Sequence, residues 1–357
     1  MGGGLLGLAT ARALARRGRE VLLLERATVG HERSGSKGTS RVFRLGYDDP
    51  HYVSMAMTAK PMWRELESES GRVLLSATGQ LSFGGGLGVL ADAMTAAGAP
   101  FEELDAAEAA LRVPSIHAGG PALFETESGV LAADQCLDAL RHSAESAGAR
   151  VMENNAVTSV SDDGNRVRVH AGSETLTASA VVVCAGHWTS GLLEGTGVGL
   201  RLIPTLEQVA HLAPVTGNPV DTPVFIERAS PWVYGLPAGV TGLLKVALHG
   251  AGPVAHPDDS PLDPDPVLLS RLAEHTARLL PHHHVEPVST ERCFYDSTAD
   301  GDFVLERVGR VVVGAGTTGH GFKFGPLLGE LLADLATGAS PPVDLSRFSA
   351  RRPAVAA

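Results

Sequence analysis

The spacing of apolar and polar positions divides the chain into short elements. Residues 8–18, LATARALARRG, are helix formers, with Gly18 placed to cap the C-terminus. EVLLLE follows, an apolar run of strand length ending in Glu25. Residues 29–50 are polar and glycine-containing and predict a loop. Residues 51–71 predict a helix, with Pro61 limiting where it starts or kinks. Residues 77–84 predict a strand, and 88–98 and 135–148 predict amphipathic helices. VMENNAVTSVSDDGNRVRVHAG and SETLTASAVVVCAG predict strands, with turns at Asp162–Asn165 and around Gly172. Between 201 and 250, RLIPTLEQVAHL, PVFIE, WVYGLP and GLLKVALHG predict short strands of a separate antiparallel sheet. Residues 268–280 predict a helix, and PVAHPDDSPLDPDP predicts a surface loop. PHHHVEP predicts a solvated loop for His282, His283 and His284, which lack partner ligands at metal spacing. RVVVGAGTTGHGFKFGPLLGELLADLATG reads as strand, glycine turn and helix.

Strand and helix units at both ends, with β-rich material between them, predict an α/β fold. The expected architecture is a Rossmann-like nucleotide-binding domain with an inserted α+β domain built on an antiparallel sheet. The nucleotide domain is expected at 1–76, 127–204 and 286–357, and the inserted substrate domain at 77–126 and 205–285.

Composition narrows the partners. A net charge of -11 over 357 residues argues against nucleic acid or an anionic membrane as the main partner. No apolar run reaches the roughly 18 residues of a membrane span. The N-terminus lacks a basic region and is not expected to be a signal peptide. Cys136, Cys184 and Cys293 are odd in number and widely spaced, so neither a disulfide framework nor a metal site is expected, and a reducing cytoplasm fits.

The opening turn is Gly2-x-Gly4-x-x-Gly7. Its glycines permit a tight turn, close approach to a pyrophosphate and close helix–strand packing. The helix N-terminus behind them attracts phosphate. Glu25 can accept hydrogen bonds from an adenosine ribose, and with the turn upstream this reading is preferred to that of a solvated strand-end acid. These features do not separate NAD from FAD. VVVCAGHWTSGLL (181–193), with Ala185, Gly186 and Trp188, looks like the second nucleotide-contacting strand of FAD-dependent amine oxidases.

From residue 2 to about residue 350 the chain resembles the monomeric sarcosine oxidase and N-methyltryptophan oxidase family. The segments that carry the resemblance are GSKGTSRVFRLGY, TGQLSFG, LEQV, VYGLP, LKVALHG, CFYDSTADGDF and TTGHGFKF. The resemblance implies an FAD-dependent oxidase of secondary amines such as sarcosine or other N-methyl amino acids. Such an enzyme moves a hydride equivalent to flavin and reduces O2 to H2O2. It implies a covalent flavin thioether at Cys293, within the family pattern Cys293, Tyr295, Thr298, Asp300 and Phe303. Arg44 and Lys323 are implied to hold the substrate carboxylate, a task suited to a guanidinium fork and a lysine point charge. Arg41 is implied beside the flavin, Lys245 at the site of oxygen reaction, and His249 and Tyr234 at the amine site. The implied cofactor contacts are Gly2, Gly4, Gly7, Glu25, Arg26, Ser36, Thr39, Ser40, Val157, Ala185, Gly186, Trp188, Cys293, Gly319, His320, Gly321 and Lys323, with no metal. A monomer is implied by analogy.

Three other readings stay open at this level: oxidation of a larger or cyclic amine in a biosynthetic pathway, an FAD-binding protein with an impaired site, and an NAD-dependent dehydrogenase. The family also places an apolar strand before the first glycine. Met1 stands where its last residue would be, so the first strand is expected to be absent from the chain as written.

Overall fold

The computed structural model describes residues 1–218, 220–237 and 239–356. The opening pattern folds as predicted. Leu5–Arg16 is helical, and Gly18, at φ +71°, makes the left-handed exit. Leu22–Leu24 then pairs in parallel with Arg150–Met152. A second layer pairs Val181–Val183 in parallel with Val311–Ala315, which also pairs antiparallel with Val304–Val308.

Met1 and Gly2 lie between these two sheets. The Met1 amino group donates to Val182 O at 2.7 Å, Cys184 N donates to Met1 O at 2.8 Å, and Gly2 N donates to Leu24 O at 2.8 Å. Met1 therefore sits between the flanking strands, where the sequence places the last residue of a first strand. Helix Leu5–Arg16 packs closely on Gly325–Thr337, where a Cβ on Gly329 would lie 2.6 Å from the Ala9 backbone.

The largest sheet among the described residues has eight strands. Its order is Ser289–Ser297, Ile203–Leu212, Leu244–Leu248, Val233–Leu236, Val224–Arg228, Gln80–Gly84, Ala122–Glu125 and Glu102–Leu104. Its pairs are antiparallel except the parallel pair Val224–Arg228 with Gln80–Gly84. Helix Pro266–Leu279, capped by Asp265, lays Leu268, Leu272 and Leu279 on Leu81, Phe83, Phe225 and Val246. The edge strand Ser289–Ser297 comes from a segment expected in the nucleotide domain, and it carries Cys293 into the neighbouring layer.

Two local expectations are corrected, and one stretch without a prediction is filled in. The 29–50 stretch is not all loop, because Ser40–Phe43 is a strand paired with Gly129–Ala132, a partner far away in sequence. The PHHHVEP segment is not wholly solvated: His283 is buried and bridged to Pro214. Between 101 and 132, for which the pattern predicts nothing, the chain forms strands Glu102–Leu104, Ala122–Glu125 and Gly129–Ala132 and helix Ala106–Arg112.

Candidate active site

A cavity of about 520 Å³ runs between the two layers. One end is walled by Gly2, Gly4, Glu25, Arg26, Ser36, Val157, Ala185, Gly186 and Trp188. Ser40 and Arg41 lie along it, and the other end gathers Arg44, Tyr234, Lys245, His249, Cys293, Gly319, His320, Gly321 and Lys323. Of the residues expected from the sequence, Gly7 and Thr39 do not line the cavity. Gly7 packs against the turn instead, since a Cβ there would meet Gly2 O at 1.8 Å. Thr39 O accepts Ala133 N at 3.0 Å.

The first end is built for a phosphate-bridged nucleotide. Gly2 has φ +94°, and a Cβ on it would lie 2.3 Å from Cys184 O, so only glycine fits. Ser36 Oγ accepts Leu5 N at 3.0 Å, which fixes the helix N-terminus against the loop. Glu25 is buried and braces the turn: Oε2 accepts Gly3 N at 2.6 Å and Oε1 accepts Ala27 N at 2.9 Å. The glycine cradle, the helix N-terminus and the acid at the strand end together suit the adenosine diphosphate part of a dinucleotide.

The Pro/Asp-rich loop does more than cover the surface. Asp258 lines the cavity, accepts Trp188 Nε1 at 3.0 Å and pairs with Arg26 at 2.9 Å. Arg33 grips the same loop through Pro257 O at 3.0 Å and Ser260 O at 3.1 Å. Beside it, the His187 ring packs at a tilt against Trp188 and Phe294, at ring separations of 4.0 and 4.6 Å. Burial pushes His187 down to about 3, and its Nε2 has no partner. His187 adjoins the recognised Trp188, so proximity to the motif was its one sequence signal. Asp258 had none.

At the other end, strand Leu244–Leu248 and the residue after it bring Lys245 and His249 to one wall. Lys245 Nζ donates to Ser40 O at 3.2 Å. Burial lowers Lys245 to about 8, and Arg41 pushes the same way. Arg41 is held by Ser40 O, Gly35 O and Lys37 O, and its guanidinium lies 5.5 Å from the Phe322 ring. Burial lowers His249 to about 4, so it is neutral at physiological pH, and its Nδ1 is 3.4 Å from the Tyr295 hydroxyl. Burial raises Tyr234 to about 12. Tyr295 packs on Gly319, where a Cβ would sit 2.1 Å from the ring. Cys293, on the same strand as Tyr295, is partly exposed at the cavity wall.

Arg44 and Lys323 converge from different segments. Arg44 is buried, donates to Gly46 O, and places its guanidinium 3.8 Å above the Tyr47 ring and 5.6 Å from the Trp232 ring. Lys323 is 3% exposed, and its Nζ donates to the Tyr47 hydroxyl and to His320 O, both at 2.8 Å. Burial, then Arg44, hold Lys323 well below the usual lysine range. Among the described residues neither cation has a carboxylate partner of its own. Trp232, which also lines the cavity, opens the predicted strand WVYGLP but stands just outside the matched VYGLP and was not among the expected site residues.

A family model described as FAD dependent oxidoreductase matches residues 1–335. The chain belongs to this FAD-dependent oxidoreductase family. It is 31% identical to the peroxisomal sarcosine oxidase of Mus musculus over 375 residues, covering 99% of this chain and 95% of the relative. It is 30% identical to a monomeric sarcosine oxidase of Bacillus sp., covering 99% of this chain and 96% of the relative. The open form of NikD, an amino acid oxidase essential for nikkomycin biosynthesis, has a TM-score of 0.86 at 28% identity, over 98% of this chain and 95% of that one. The family match thus resolves the choice between NAD and FAD in favour of FAD.

Proposed function

We propose that this chain oxidises secondary α-amino acids of the sarcosine or N-methyl amino acid kind, holds FAD covalently through Cys293, and passes electrons to O2 to give H2O2. One observation carries the reading: Arg44 and Lys323 face a buried cavity beside an aromatic wall, and among the described residues neither has a carboxylate of its own. A ligand carboxylate completes that charge set. Bound FAD supplies the electron sink for the hydride equivalent leaving the carbon next to nitrogen.

The protein groups do the rest. The Arg44 fork and the Lys323 point charge seat the carboxylate and so orient the α-carbon. Tyr234, Tyr295 and neutral His249 shape the amine end without adding a repelling charge. Lys245 sets a positive charge where negative charge develops on oxygen. The Cys293 side chain opens to the cavity, where a thioether can form. On this reading the enzyme is a cytoplasmic monomer. The likeness to NikD supports a second reading, a larger or cyclic amino acid, for which Trp232 and Phe322 offer additional apolar wall.

Acid precipitation tests the cofactor. The native pellet stays yellow, and Cys293→Ala releases its colour to the supernatant. A peroxide-coupled screen of sarcosine, other N-methyl amino acids, pipecolate and proline separates the two substrate readings. A protein that binds NAD and stays colourless overturns both.

A further inference from the structure

We propose that Lys323 is the base that takes the substrate's ammonium proton as the amino acid enters, so that one event seats the carboxylate and frees the amine. The assignment rests on the amino acid oxidase reading above.

The surroundings of Lys323 carry it. Its Nζ has two neutral hydrogen-bond acceptors, the Tyr47 hydroxyl and His320 O. Arg44 is a second cation at the same ring, its guanidinium 3.8 Å and Lys323 Nζ 5.3 Å from the Tyr47 centroid. His320 and His249, the nearby imidazoles, are both held neutral by burial. Tyr52 stacks on Tyr47 at 5.3 Å and adds no charge. Glu125 is the carboxylate that acts on Lys323, but it is committed to Leu45 N, Gly46 N, Ser128 Oγ and Gln80 Nε2. An ammonium in this place has a cation nearby and, among the described residues, no carboxylate paired with it, which disfavours charge. On this assignment the resting lysine is neutral and gains its point charge only as the carboxylate arrives.

An α-amino acid arrives with its nitrogen protonated, because alkylammonium groups titrate near about 10. Loss of hydride from the neighbouring carbon requires the nitrogen lone pair. The arriving carboxylate supplies the anion that Lys323 lacks and raises its proton affinity. One substrate N–H bond breaks, its electron pair stays on nitrogen, and the proton forms a new N–H bond at Nζ. The Tyr47 hydroxyl, also 3.4 Å from His320 Nδ1, adjoins Nζ as a relay. No proton enters or leaves solution, and the site is left with a neutral amine and an ammonium–carboxylate pair.

Calorimetry of the oxidised holoenzyme tests this, with the visible flavin spectrum as an independent sign of binding. The probes are methoxyacetate, which has an ether oxygen in place of nitrogen, and 2-aminoisobutyrate, a zwitterion without an α-hydrogen. Each is titrated in phosphate and in Tris. Methoxyacetate should take up about one proton per site, and its Kd should rise about tenfold per pH unit above neutrality. 2-Aminoisobutyrate should take up close to none. K323M should abolish the uptake. K323R, which stays charged, should bind methoxyacetate without uptake or pH dependence. Native protein that binds methoxyacetate without uptake overturns the assignment, as does uptake that persists in both variants. If no carboxylate perturbs the flavin spectrum, the amino acid oxidase reading itself falls and takes this assignment with it.

Discussion

The Asp296 carboxylate accepts the Thr317 hydroxyl at 2.5 Å and the Thr317 backbone N–H at 3.0 Å, which ties two distant motif segments into one site. It also accepts Gly316 N at 2.9 Å. Asp296 lies on the strand that carries Cys293 and Tyr295, and Thr317 opens the turn that leads to Gly319, His320 and Lys323. Asp296 is buried. Asp296→Ala leaves three donors without their acceptor, a loss of about 3 kcal/mol at about 1 per hydrogen bond. Asp296→Asn keeps one acceptor oxygen and should lose about half of that. Thermal unfolding of both variants checks the ranking, and a native midpoint for Asp296→Ala would contradict it.

On the proposed oxidase reading, Lys245 should set a pH dependence for the reaction with oxygen. Burial and Arg41 lower its ammonium to about 8, so the charged form predominates below that pH and is lost above it. The positive charge is the useful form, so reoxidation of reduced flavin should slow as pH rises through about 8. Lys245→Met should reoxidise about 10²–10³-fold more slowly, the range for losing one preorganised electrostatic group, and should show no step at that pH. Stopped-flow reoxidation across the range is the measurement. A step that survives in Lys245→Met belongs to another group.

What was legible in advance were the local parts of this site. The Gly2–Gly7 turn, Glu25, the four-residue spacing of Lys245 and His249, and the run around Cys293 each sit within a few residues of their own structural context. What was not legible were pairs made by distant strands. Ser40–Phe43 reads as loop because its pairing partner is Gly129–Ala132. Asp258 reads as a solvated acid because Arg26 and Trp188 reach it only after folding. His283 reads as solvated because nothing in a histidine run announces its bridge to Pro214. The eight-stranded sheet shows the same limit. Five of its strands were visible singly and Glu102–Leu104, Ala122–Glu125 and Ser289–Ser297 were not, while the parallel pair of Val224–Arg228 with Gln80–Gly84 joins segments separated by more than a hundred residues.

Arg44 should separate binding from turnover. Its guanidinium is packed over Tyr47 and turned by the carbonyl of Gly46, so its fork has a fixed direction. Arg44→Lys keeps the charge but loses the two parallel donors and the flat stacking face. KM for an amino acid substrate should rise about 10–100-fold, equivalent to about 1.4–2.8 kcal/mol, with a smaller change in kcat. Steady-state kinetics on the best amine from the screen decide it. An unchanged KM would take Arg44 away from the carboxylate.

Glu125 should govern the same KM from behind the site. It is 0% exposed, and its Oε2 accepts Leu45 N at 2.9 Å, Gly46 N at 3.0 Å and Ser128 Oγ at 2.5 Å. Its Oε1 accepts Gln80 Nε2 at 2.9 Å. These bonds hold the backbone just after Arg44, so the carboxylate aims the guanidinium without touching substrate. Glu125→Ala removes four acceptor contacts from a buried place and should cost about 2–4 kcal/mol of stability along with a KM rise of at least about tenfold. Glu125→Gln should be far milder. Its oxygen can keep the Oε2 bonds, and its amide then faces Gln80, whose Oε1 has no partner in the native structure. A flip of the Gln80 amide turns that oxygen toward the new donor and restores the pair. Melting temperature and KM measured together on both variants test the point. Equal damage in Glu125→Gln and Glu125→Ala would mean that the negative charge, and not the acceptor geometry, positions Arg44.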